Sequence, residues 1–139
     1  MTLNEFRPHL LAKSVNRSIL PEDEDLKARI FAGLKRIAKD TIPLRLYVTD
    51  PVGYTILRRL DDFMFIRMPS VPTSEDSEID IDLALIDALA LHVMAGLERV
   101  QAQTHMGMYH GEIDMNNDRL TETFLSETTN DTEKFCVFP

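Results

Sequence analysis

The sequence contains one cysteine, Cys136, so no disulfide can form within the chain. No apolar run approaches the ~18–20 residues that a membrane span needs. The first residues, Met1-Thr2-Leu3-Asn4-Glu5, carry neither a basic region nor an apolar stretch of the kind that leads a secretory signal. The expectation is therefore a protein that acts in a cytoplasm, or in a particle assembled there, with no membrane partner. Basic charge is also scarce. Fifteen Lys and Arg stand against 23 Asp and Glu, a net charge of −8. A protein that coats nucleic acid needs a basic face, and this balance argues against that role.

The motifs of common chemistry are missing too. There is no HExxH, GxSxG, P-loop or GxGxxG. Glu75, Asp76, Glu78, Asp80 and Asp82 alternate as oxygen ligands do in a calcium loop. Counted from Asp76, however, the positions that require Gly and Glu hold Ile81 and Asp87. The run reads as a solvated linker whose last acids cap the next helix. His105 and His110 lie five apart, on different faces of a helix, and no cysteine or second histidine stands at a zinc-like spacing. His92, inside an apolar helix, reads as a packed histidine. No catalytic residue, metal ligand or cofactor is assigned, and the chain is not expected to be an enzyme.

What the chain does have is enough apolar sequence for a core. Its 139 residues are 44% hydrophobic, which fits one domain over residues 1–125 and an extended arm over 126–139. The fold class predicted is α+β and mostly helical, with long central helices packed on a small three-stranded antiparallel sheet. Residues 1–18 form a short helix capped by Asn4. Residues 22–40 form a second one, with acids in the first turn and Leu26, Ile30, Leu34 and Ile37 at helical spacing. Over 44–69 the period changes to two. Strands at 44–49, 54–60 and 63–68, separated by Asp50-Pro51-Val52-Gly53 and Asp61-Asp62, predict a β-meander. Three short strands need a helix against one face.

Residues 82–101 predict one long helix, apolar nearly all round, and therefore central or at an interface. Leu83, Ile86, Leu89, Val93, Leu97 and Val100 are expected to serve core and subunit packing together. A further helix over 104–125 completes a helical half at 82–125, weakened by Gly107 and Gly111. The arm ends in Phe135-Cys136-Val137-Phe138-Pro139. Phe135, Val137 and Phe138 form an apolar tip on a polar tether and are the expected docking residues. Arg58, Arg59 and Arg67 are the expected basic contact face. Residues 1–69 carry a net +3 and residues 70–139 a net −11, a separation suited to complementary surfaces between copies of one chain.

The order of segments carries a resemblance. A charged helix ends in "RIAKDTIPL". A small sheet leads into "FIRMPSVPTSEDSEIDIDLALIDALALHVMAGL", and a helix with "HGEIDMNNDRL" follows. Over roughly residues 26–120 the chain resembles the small head-to-tail adaptor (connector, or head-completion) proteins of tailed bacteriophages. The resemblance implies a homo-oligomeric ring of about twelve copies, built by heterologous contacts. Such a ring sits in the virion neck, joins the portal protein to tail proteins and continues the DNA channel without binding DNA specifically. Three alternatives stand beside it. One is another neck or tail component, such as a tail-completion protein or baseplate adaptor. A second is a cytoplasmic helical protein-interaction module. A small metal-dependent enzyme built on the acidic run with His105 and His110 is the remaining one.

Overall fold

The computed structural model describes residues 1–15 and 22–130. Four helices and one three-stranded sheet occur in the order α1 (Leu3–Lys13), α2 (Asp23–Asp40), β1 (Tyr47–Val48), β2 (Ile56–Asp61), β3 (Met64–Arg67), α3 (Ile86–Leu97) and α4 (Ala102–Asn130). The α+β, mostly helical class is as expected.

Helix α1 is capped by Thr2 rather than Asn4. The Thr2 hydroxyl accepts from the Glu5 N–H, and the Glu5 carboxylate accepts from the Thr2 N–H, so two otherwise unpaired donors are satisfied reciprocally. Leu3, Phe6 and Leu10 turn inward. Helix α2 buries the four residues its spacing singled out, Leu26, Ile30, Leu34 and Ile37, each fully. At about 1.5–3 kcal/mol for each buried aliphatic side chain, this face is a large part of the core. Helix α3 lies between them. Ala88, Leu89, Ala90, Leu91, Val93 and Met94 are all buried, and α1, α2 and α4 each pack against it. A smaller cluster of Ala38, Leu46 and Ile66, with Ile42, Tyr47, Leu57 and Leu60 around it, fixes the sheet to the end of α2.

Four further expectations are corrected. The sheet order is β1-β3-β2, both pairings antiparallel, so the three strands are not a meander. The loop 49–55, with Pro51 and with Gly53 at φ +86°, carries the chain past β1, and β2 returns on the far side of β3. β3, which holds the fully buried Ile66, is the strand with partners on both edges. Residues 44–46 are a 3-10 turn rather than strand. The Asp82 carboxylate accepts from the consecutive N–H groups of Leu44 and Arg45, at 2.5 and 2.6 Å, and holds them out of the ladder. The helix expected over 82–101 is a 3-10 turn at Leu83–Leu85, then α3, then a second 3-10 turn at Arg99–Gln101. It breaks at Glu98, whose buried carboxylate turns inward to accept from Ser14 Oγ and the Val15 N–H, both at 3.0 Å, and meets His105 Nε2 at 2.9 Å. Finally, α4 continues to Asn130, so residues 126–130 belong to a helix and not to an extended arm. Phe135, Val137 and Phe138 lie outside the described residues.

The glycines of the two long helices have opposite surroundings. A Cβ on Gly33 would come within 2.7 Å of Leu89 Cδ1 and 3.3 Å of His92 Nδ1, while one on Gly107 meets nothing within 4 Å. Leu89 is fully buried and cannot retreat freely. Overpacking of this kind costs about 1–3 kcal/mol, against a gain of at most ~1 kcal/mol in helix propensity. Gly33→Ala is therefore expected to lower the thermal midpoint and Gly107→Ala to raise it, both read by circular dichroism. Equal shifts of the same sign would contradict this packing of α2 on α3.

Candidate functional site

The acidic stretch before α3 does not cap that helix. Asp80 is flanked by Ile79 and Ile81, both buried, and a tight turn closed by the Ile81 N–H on the Ile79 carbonyl turns its side chain toward the end of β3, the residue being 5% exposed. A carboxylate that far from water must be paired or protonated. This one is paired on every side. Oδ1 accepts from Arg67 Nη2 at 2.8 Å and Arg45 Nε at 3.1 Å. Oδ2 accepts from Arg67 Nη1 at 2.5 Å and the Ser70 N–H at 2.9 Å. Arg67 thus grips the carboxylate with both ends of its fork, the strongest arrangement the two groups can make. Its Nη2 also donates to the Arg45 carbonyl, at 3.1 Å. Burial alone pushes the Asp80 pKa up. The hydrogen bonds from Arg67 and Ser70, the Arg67 charge and Arg45 outweigh it and hold the group down at about 2. The same pairing raises Arg67 above its ordinary value.

This cluster forms one wall of an open cleft of about 630 Å3. The turn Gly53-Tyr54-Thr55 and the strand exit Met68-Pro69-Ser70 form the rest. The elements that place these groups are different in kind. Arg67 ends β3, Arg45 sits in the 3-10 turn held by Asp82, and Asp80 comes from the acidic segment.

The three arginines expected to make a basic face are each engaged within the chain. Arg67 is neutralised by Asp80. Arg58 donates to the carbonyls of Lys39 and Thr41, at 2.6 and 3.0 Å, and so ties β2 to the end of α2. Arg59 pairs with Asp62 across the β2–β3 turn. The six residues expected to serve core and subunit packing divide likewise. Ile86, Leu89 and Val93 are buried within the chain's own core and Leu97 is partly buried there, whereas Leu83 is 70% and Val100 92% exposed. The two exposed side chains sit in the 3-10 turns that bracket α3, where the helical stripe is broken. Arg45 and Asp80 were missed as site residues. The available signal was the pattern Ile79-Asp80-Ile81, an apolar alternation inside a polar stretch.

Elsewhere, Asp40 Oδ2 accepts from the Tyr109 hydroxyl at 2.7 Å and from Arg36 Nε at 2.8 Å, joining α2 to α4. Burial pushes Asp40 up, and the two hydrogen bonds, with the charges of Arg36 and His110, more than reverse it. His92 is packed edge-on against Tyr109 with ring centroids 5.7 Å apart, and burial lowers its pKa. Among the described residues no three His, Cys, Asp or Glu side chains gather as a metal site would require. No protein-family model matches the chain, and neither curated proteins nor solved structures match it.

Removing the Asp80 charge leaves a half-buried Arg67 without its carboxylate partner. Asp80→Asn is expected to cost about 3–5 kcal/mol in urea unfolding at neutral pH. The pH dependence has a definite sign. The folded pKa lies below the unfolded value of about 3.9, so this stability is present above pH ~4 and is lost as the pH falls toward 2. The wild type should therefore lose more stability between pH 4 and pH 2 than Asp80→Asn does. Parallel acid profiles for the two would contradict the assignment.

Proposed function

We propose that this chain is a structural adaptor of a bacteriophage neck, a ring-forming protein between portal and tail through which DNA passes without specific contact. The reading rests on the segment order over residues 26–120, and its physical support is the pair Leu83 and Val100. These are large apolar side chains set at the two ends of the most apolar helix, directed away from the chain's own core. Two such residues on opposite ends of one element suit a head-to-tail assembly, in which one patch of each subunit meets a different patch of the next. Charge supports it as well. Asp114 and Asp118, four residues apart and so on one exposed face of α4, have no cationic partner among the described residues. A surface of unpaired carboxylates repels phosphate and lets a duplex slide past.

Light scattering on the chain alone, and then mixed with portal from the same source, tests this directly. The expected result is a small species alone and a ring of many copies on the portal. Leu83→Glu with Val100→Glu should leave the fold unchanged by circular dichroism and abolish the assembly. A mass indifferent to the portal would contradict the adaptor reading.

A further inference from the structure

The Asp80 cleft has a property that its neutralised arginine conceals. Each Asp80 oxygen already accepts two hydrogen bonds, so both are filled. Two guanidinium groups meet one carboxylate in the lining of the cleft, which carries a net charge of +1, the Asp82 carboxylate on the Leu44 and Arg45 N–H groups lying outside that lining. Arg45, 45% exposed at its side chain, spends only Nε on Asp80. Its Nη1 and Nη2 have no partner among the described residues. The hydroxyls of Tyr54, Thr55 and Ser70, on the same cleft, are likewise without a protein partner there. The side-chain hydrogen-bonding capacity left in this cleft is thus a positive fork with three hydroxyls, and the one acid is saturated.

We propose that the cleft is a binding site for a small organic anion, held by a carboxylate or phosphate head on the free edge of Arg45. The fork supplies two parallel N–H groups at the spacing that planar and tetrahedral oxyanions share. Asp80 fixes that fork through Nε, and Arg67 fixes Asp80, so the donor is set before a ligand arrives. The cleft is open, and beside the fork it is lined by Gly53 and the Tyr54 ring, which give the body of a ligand a surface to lie along beyond its anionic head. This site does not depend on the assembly proposed above.

The test is an amide NMR titration of the full chain with inorganic phosphate and, separately, malonate, at constant ionic strength set with chloride. The expected result is saturable shifts at the Gly53, Thr55 and Ser70 amides. Arg45→Gln should weaken the affinity roughly tenfold to a hundredfold, the worth of a charge-assisted hydrogen bond. It keeps both Arg67 contacts to Asp80, and its spectrum reports whether the sheet is intact. Arg45→Lys keeps the charge but not the fork and should weaken binding nearly as much, while Arg99→Gln, at an exposed arginine remote in sequence, should change nothing. A response to malonate alone assigns a carboxylate head, and to phosphate alone a phosphoryl head. Shifts that do not saturate, that scatter over exposed basic residues, or that persist in a folded Arg45→Gln variant would mean an adventitious ion only and overturn the site.

Discussion

The structure depends on how residues 75–82 are bonded. This stretch has the composition of a linker, yet it reaches three parts of the molecule. The carbonyls of Glu75 and Ser77 accept from the N–H groups of Asn4 and Leu3, and the Ile79 N–H donates to the Met1 carbonyl. Glu78 meets the N-terminal ammonium at 2.7 Å. These bonds hold α1 against the core. Asp80 then anchors β3 through Arg67, and Asp82 anchors the turn that starts the sheet. Ile79 and Ile81 point between these contacts into the main core. The Ile81 N–H donates to the Ile79 carbonyl at 2.9 Å, and this tight turn centred on Asp80 does both jobs, sending the carboxylate one way and the two isoleucines the other.

The cost of this design is a buried ion pair. A well-packed apolar pair of similar volume is often as stable or more so. What the Asp80–Arg67 pair adds is register. The two-toothed contact fixes where the end of β3 sits relative to the acidic segment, and so where the small sheet sits on the end of α2. The two-residue strand β1 and the four-residue β3 bury little on their own. A short sheet of this kind is marginal without a partner surface, and here Ala38, Leu46 and Ile66 supply the packing while Arg58 and Arg67 set the alignment.

Much of this was legible in the residues. The spacing of Leu26, Ile30, Leu34 and Ile37 marked both the existence of α2 and its buried face. The Asp50–Gly53 turn and the β2–β3 hairpin followed from their turn chemistry. Other features depend on contacts distant in sequence, to which local patterning is blind. Leu44–Leu46 alternates like a strand but is held as a turn by Asp82. The stripe from Leu83 to Val100 reads as one helix but is interrupted because Glu98 turns toward Ser14 and His105. Arg67 was singled out for its charge, yet that charge is spent on Asp80, 13 residues away. Arg45 became visible only once the filled valences of Asp80 showed which donors were left.

The most direct measurement of the central claim is native-state hydrogen exchange across the amides of Leu3, Asn4, Leu44, Arg45, Ser70 and Ile79. Five of them donate to the 75–82 stretch, and the Ile79 N–H donates from it to the Met1 carbonyl. If that stretch holds the molecule together, these amides exchange only through global unfolding, with opening free energies equal to those of the buried amides of α3. Exchange at near-unfolded rates while α3 stays protected would show that the stretch is only a linker, and would contradict the account.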